Sequence, residues 1–373
     1  MNTQRVALGL PAVPAAVVPS ASTQPRPAGT SSGLPDQFGR VASDMRLSLT
    51  DKCNLRCTYC MPEDGLEWLK KDKLLNAAEI VRLVGLGVNK LGVRELRLTG
   101  GEPLVRADLV EIIAALRRNH PELPISLTTN GVGLAKKARA LADAGLTRLN
   151  VSMDTLHHDA FLQLTRRPFL DQVLAGIEAA AAAGLHPIKV NAVLLRGIND
   201  RHGAELLAWC LERGYELRFI EQMPLDADHG WTREGMITAA EIRELLSSDF
   251  ELAPDPRSRD GAPAERFEVR RPGSAELLGT VGIIASVTEP FCSDCRRTRI
   301  TAEGKVMSCL FSRTEVDLLP LLRAGSAQSD DDAVVSRWQD AMWAKPKAHG
   351  MGHPGLGDAD FVQPERSMSA IGG

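Results

Sequence analysis

The chain has 373 residues, 44% hydrophobic and 24% charged, enough for two domains or for one large α/β domain with an extension. Its net charge of −3 and its few aromatics exclude a global basic surface and a base-stacking platform for nucleic acid, so any anion must be met by local Arg and Lys. No apolar run approaches the roughly 20 residues that span a bilayer. Seven cysteines in clustered spacings fit metal ligation in a reducing cytoplasm better than a secreted disulfide frame.

Residues 1–35 are rich in Ala, Pro, Ser and Gly. Arg5 precedes the apolar stretch VALGLPAVPAAVV, but Pro11 and Pro14 interrupt it and would break a signal-peptide helix. The segment reads as a disordered extension. Arg46–Thr50 then alternates like a strand and leads into CNLRCTYC. Asn76, with Glu79 three residues later, predicts the capped start of a helix that runs to Leu91. From there βα units repeat: strand Glu95–Thr99 and helix Arg106–Asn119; strand Ile125–Thr129 and a helix to Ala144; strand Arg148–Ser152 and helix Asp171–Ala183; strand Ile188–Leu194 and helix Ala204–Arg213; strand Leu217–Ile220. This rhythm predicts a parallel sheet of six units, an open or closed barrel over residues 36–253, with reactive groups at the C-terminal strand ends. Beyond residue 253 the composition changes. Strand-like pieces fall at Glu265–Arg270, Leu277–Ile284 and Thr298–Thr301, and helices at Glu315–Leu322 and Asp332–Trp343, within a region 254–348. A Gly-rich tail, 349–373, ends in Gly372-Gly373.

Cys53, Cys57 and Cys60 are spaced Cys-x3-Cys-x2-Cys. A structural zinc site wants four protein ligands, and no fourth Cys or His stands nearby, so the triad points to an iron–sulfur cluster with one iron open. Tyr59 either leans over whatever binds that iron or simply packs. Gly100-Gly101-Glu102-Pro103 closes a strand; its glycines let backbone approach a ligand, and Glu102 can accept from an ammonium group. A second triad, Cys292-x2-Cys295-x13-Cys309, is read either as a zinc site completed by a remote His349 or His353, or as a second cluster. Between its members lies RRTR, where alternation puts Arg297 and Arg299 on one face, suited to a multiply charged anion or to solvent. No P-loop is present. Cys210 stands alone and reads as a small buried hydrophobe.

CNLRCTYC followed by LTGGEPL resembles the radical S-adenosylmethionine (SAM) superfamily. With TTNG, NVSMD, FIEQMP, CSDCRRTRIT and the terminal IGG, residues 36–373 resemble the GTP 3′,8-cyclase family of molybdenum cofactor biosynthesis. The resemblance implies an α/β fold, a partial (βα)6 TIM-like radical SAM barrel whose C-terminal α+β extension carries a second Fe–S cluster. It implies two 4Fe–4S clusters, on Cys53, Cys57 and Cys60 and on Cys292, Cys295 and Cys309, and SAM bound by Tyr59, Gly101, Ser152 and Met223. It implies GTP contacts from Arg46, Arg97, Thr128, Lys189, Arg297, Thr298 and Arg299, with Arg297, Arg299, Gly372 and Gly373 serving catalysis. It also implies an external electron donor, hand-off to a pterin-forming synthase and a homodimer, with no nucleic acid or membrane partner. Where this family often carries a lysine two residues before the arginine of RLTGGEP, this chain has Glu95, with Arg94 as the candidate substitute cation. The rival enzyme is another radical SAM protein with an auxiliary cluster, such as a peptide modifier; the rival binding protein is a zinc module without catalysis.

Overall fold

Branched and unbranched aliphatics at every second position give each βα strand one apolar and one polar face. The computed structural model describes residues 25–27, 29, 32–324, 328–349, 363, 366 and 368–371. Its strands are β1 (Asp44–Ser48), β2 (Glu95–Thr99), β3 (Ile125–Thr129), β4 (Arg148–Ser152), β5 (Ile188–Val193), β6 (Glu216–Ile220), β7 (Glu251–Pro254), β8 (Glu265–Arg270), β9 (Gly279–Ile284), β10 (Arg297–Ile300), β11 (Lys305–Met307) and β12 (Val316–Asp317). They form one sheet in the order β12-β11-β10-β1-β2-β3-β4-β5-β6-β9-β8-β7. The run from β10 through β1–β6 to β9 is parallel throughout, and only the two margins are antiparallel.

The six expected parallel strands are therefore joined by two more from the C-terminal third. β9 and β10 arrive from opposite margins, so the chain after residue 254 embraces the barrel sheet on both sides. β1 lies two residues earlier than its alternation suggested. The helix expected from Glu315 begins at Leu319 instead, because Val316 and Asp317 pair with β11 as β12. The expected extension also ends before residue 35: Leu34 is fully buried, and its carbonyl accepts from Ala42 N at 3.0 Å.

The α-helices among the described residues are α1 (Ala77–Leu91), α2 (Leu109–Asn119), α3 (Ala138–Asp143), α4 (His158–Thr165), α5 (Leu170–Ala182), α6 (Gly203–Glu212), α7 (Ala239–Ser247), α8 (Leu319–Ala324), α9 (Gln328–Trp343) and α10 (Met368–Ile371). The capping box of α1 forms as expected: Glu79 N donates to Asn76 Oδ1 at 2.9 Å and Asn76 N to Glu79 Oε2 at 2.8 Å. The main core lies between the helices and the outer face of the sheet, where Met45, Leu47, Leu96, Leu98, Leu127, Val151, Val190, Phe219 and Ile283 are buried together with Ile80, Leu83 and Ile112. Lone Cys210 is buried in this core on α6.

Trp338 on α9 anchors the C-terminal region to that outer face. It is fully buried, and its indole Nε1 donates to Thr298 Oγ1 on β10 at 2.9 Å. Trp338→Ala is expected to lower stability by about 3–5 kcal/mol, read as a fall in the midpoint of denaturant unfolding; an unchanged midpoint would show that α9 does not hold β10 in place.

Candidate active site

The opposite, inner face of the same strands carries the polar alternates. In register, Arg299 of β10 stands beside Arg46 of β1, and Arg46 beside Arg97 of β2. On the far side Asn191 of β5 stands beside Arg218 of β6, and Arg218 beside Gly282 of β9. A Cβ at Gly282 would lie 3.1 Å from Arg218 Cγ, so the glycine makes room for the stem of that side chain. One cavity opens above this face. All six triad cysteines line it, together with Tyr59, Gly101, Ser152, Met223, Arg46, Arg97, Thr128, Arg297 and Arg299. Positions as far apart in sequence as 53 and 309 thus share one chamber.

Two backbone strands in close contact set the first triad. Gly101 N donates to Thr50 O and Glu102 N to Lys52 O, both at 2.7 Å. A Cβ at Gly100 would lie 2.4 Å from Thr50 O, and one at Gly101 2.4 Å from the carbonyls of Asp51 and Lys52. The glycines are needed because the end of β2 presses on the loop that carries the cysteines. Glu102 does not face a ligand, contrary to the sequence reading. It is fully buried, and its carboxylate accepts from Thr129 Oγ1 at 2.6 Å, Leu104 N at 2.9 Å and Asn130 N at 2.6 Å. Its acceptors are spent on joining the ends of β2 and β3.

Tyr59 is oriented by a hydrogen bond. Its hydroxyl donates to Asp154 Oδ2 at 2.7 Å, and Val193 N donates to Asp154 Oδ1 at 2.8 Å. Burial pushes the Asp154 carboxyl up to about 6. Burial, and then the neighbouring Cys60, push the Cys57 thiol well above its ordinary range, so a metal bound here must displace that proton.

The second triad has a more positive setting. Arg297 Nη2 donates to Cys295 Sγ at 3.0 Å and Lys345 Nζ at 3.2 Å. Burial alone would raise the Cys295 thiol; Arg297 and then Lys345 overcome it and bring it down to about 6. His349 also lines the cavity, stacked obliquely on Phe311 with ring centroids 4.8 Å apart, and burial lowers its pKa to about 4. Among the described residues no three His, Cys, Asp or Glu side chains converge tightly enough to enclose a single metal ion; His353, the other histidine of the zinc reading, lies outside the described residues.

The arginines are the electrostatic core of the cavity. Burial and then mutual repulsion pull Arg46 and Arg299 down to about 9; burial is also the main force pulling Arg97 down to about 10. Arginine keeps its proton in this range, so the pull measures the cost of crowding cations in a dry wall. Arg46 Nε, Arg97 Nε and Asn191 Oδ1 are buried with no hydrogen-bond partner. A polyanion that accepts from the Arg46 and Arg97 guanidiniums relieves both costs at once, whereas Asn191 Oδ1 is an acceptor and calls for a donor instead. The thiolate sets and the unpaired donors therefore fit iron–sulfur clusters and a phosphorylated ligand.

Several expected residues lie elsewhere. Thr298 faces the outer core, where its hydroxyl serves Trp338. Lys189 lies on the inner face one step below the cavity; its ammonium pairs with Glu216 Oε2 at 2.9 Å, and burial lowers its pKa to about 8. Arg94 is exposed and is no substitute cation, while Glu95 pairs with Arg148 Nη2 at 2.9 Å. Gly372 and Gly373 lie outside the described residues. Just before them, the Ile371 carbonyl accepts from Ser48 Oγ at 2.8 Å, and Met368 lines the cavity. Arg218, Asn191 and Lys345 escaped the sequence reading, while Asn130 and Asp154 were placed at C-terminal strand ends without a role. Period-two alternation in LRFI and KVNAV places Arg218 and Asn191 on the polar face, so those two were findable.

Residues 47–210 match the Radical SAM superfamily, and residues 215–351 match Molybdenum Cofactor Synthesis C. A GTP 3′,8-cyclase from Paenarthrobacter nicotinovorans is 75% identical over 93% of this chain and 99% of its own length. The one from Mycolicibacterium smegmatis is 52% identical over 98% of this chain and 99% of its own. Among solved structures, Streptococcus suis SuiB shares the fold with a TM-score of 0.56 at 13% identity, covering 87% of this chain and 76% of that one. The chain belongs to the GTP 3′,8-cyclase family of the radical SAM superfamily.

Proposed function

We infer that the chain cyclises GTP to (8S)-3′,8-cyclo-7,8-dihydroguanosine 5′-triphosphate, the first step of molybdenum cofactor biosynthesis. The observation that carries this reading is that both cysteine triads and the unpaired arginines open on one cavity. Cys53, Cys57 and Cys60 hold one 4Fe–4S cluster, and Cys292, Cys295 and Cys309 the other. Tyr59, Gly101, Ser152 and Met223 hold SAM against the first. When bound, that cluster and SAM supply the 5′-deoxyadenosyl radical that takes a hydrogen atom from the substrate ribose.

The chain's own work is binding, orientation and exclusion of water. Arg46, Arg97, Arg299 and Arg218 grip the triphosphate from the sheet floor, with Thr128 beside them. Lys189 adds positive potential from below, though Glu216 partly neutralises it. Arg297 reaches the second triad and guides the guanine toward it. A triphosphate fixed at one end leaves the ribose between the two triads, the orientation a ring closure requires. Gly372 and Gly373 serve catalysis in this reading, which is supported by the Ile371 carbonyl, immediately before them in the chain, accepting from Ser48 Oγ at the end of β1. An external electron donor, a homodimeric state in the cytoplasm and transfer of the product to a pterin-forming synthase complete the reading. Among the described residues no helix is long and apolar enough to cross a membrane.

Anaerobic incubation of cluster-loaded protein with GTP, SAM and a reductant is expected to give 5′-deoxyadenosine and a cyclised GTP product in step; absence of both would refute the assignment. Replacing a charge-assisted phosphate contact costs about 1.5–3 kcal/mol, so Arg97→Ala and Arg218→Ala should each weaken GTP binding roughly 10- to 100-fold with iron content unchanged. Equal GTP affinity in either variant would remove that arginine from the phosphate site. Cys309→Ala is expected to reduce iron from about eight to about four per chain and to abolish cyclisation while SAM binding persists. A variant that keeps its full iron would show that Cys309 ligates nothing.

A further inference from the structure

Lys345 follows α9 by two residues and is only 3% exposed. Its ammonium donates to Cys295 Sγ at 3.2 Å, Cys295 O at 3.2 Å and Arg297 O at 2.9 Å, which uses all three protons. The charged groups that act on it most strongly are the Cys295 and Cys309 sulfurs and Arg297. A buried cation without an anionic partner is costly, so its natural counter-charge is the sulfur it touches.

The placement is built rather than incidental. Arg40, paired with Asp36 in a buried ion pair, donates to Pro346 O at 2.6 Å, Lys347 O at 2.9 Å and Cys292 O at 2.7 Å. One guanidinium therefore clamps the segment just after Lys345 to the loop of the second triad. The first triad differs: Cys53 Sγ meets a neutral amide, Asn130 Nδ2, at 3.7 Å.

We propose that Lys345 is a tuning residue of the second cluster, whose buried ammonium, hydrogen-bonded to the Cys295 sulfur, stabilises the cluster's reduced state and holds its potential above the value the thiolates alone would set. Hydrogen bonds and positive charge at ligand sulfurs move cluster potentials in this direction. The inference rests on the two-cluster reading. It assigns Lys345 no contact with GTP or SAM.

The test uses the full chain with both clusters loaded, comparing wild type with Lys345→Met, which keeps the length but removes charge and donors, and with Lys345→Arg, which keeps the charge. Iron is counted first, then each cluster's midpoint potential is read by redox titration followed by electron paramagnetic resonance. At about eight irons per chain, the Met variant should show the second cluster shifted to a more negative potential with the first unmoved, and the Arg variant should recover most of the shift. An unshifted second cluster in the Met variant, or an Arg variant as negative as Met, overturns the proposal. Loss of second-cluster iron from both Lys345→Met and Lys345→Gln also overturns it, since the residue would then be a structural clamp. Wild type with only one cluster fails the two-cluster reading itself, a result distinct from either.

Discussion

Positive charge held out of water is the constraint on which the site depends. Arg46, Arg97 and Arg299 sit side by side on the inner face of a parallel sheet, where burial and repulsion work against each of them. Arg46 and Arg97 also leave a donor unused. Such an arrangement persists only if the fold's apolar burial offsets it and a ligand completes it. A triphosphate brings several negative charges and many acceptors to guanidiniums that repel one another.

The offsetting stability comes from the same strands. Residues adjacent to the arginines, such as Met45, Leu47, Leu96 and Leu98, point outward and are fully buried against the helices. Alternation thus builds core and site with the same residues of chain, and a slip of one residue in β1 or β2 would exchange them. The C-terminal third closes the arrangement by hydrogen-bonding β10 beside β1 and β9 beside β6. That pairing brings the second triad and its arginines to the chamber that the first triad occupies. Trp338 and Arg40 hold it from outside, one through Thr298 and the other through the backbone around Cys292 and Pro346.

Much of this was legible in the sequence because period-two alternation and turn chemistry are local. The βα rhythm placed strands β2–β6 within a residue or two, and the capping box of α1 was readable in Asn76 and Glu79. Cysteine spacing identified both triads, and alternation correctly separated Arg297 and Arg299 from Arg296. Partnerships between distant segments were not legible. Nothing local shows that β9 and β10 would extend the sheet from opposite margins, that Trp338 would claim the hydroxyl of Thr298, or that Glu102 would spend its oxygens on Thr129, Asn130 and Leu104. Nothing local marks Lys345, and only the fold brings it to a sulfur 50 positions away.

The central claim is that two iron–sulfur clusters and the triphosphate site share one cavity walled by the inner-face arginines. It is tested most directly by a crystal structure of the anaerobically loaded protein with GTP, with anomalous scattering recorded at the iron edge. The account predicts one iron peak at Cys53, Cys57 and Cys60, another at Cys292, Cys295 and Cys309, and the GTP phosphates within hydrogen-bonding distance of Arg46 and Arg97. Iron at one triad only, or GTP bound away from the sheet floor, would contradict it.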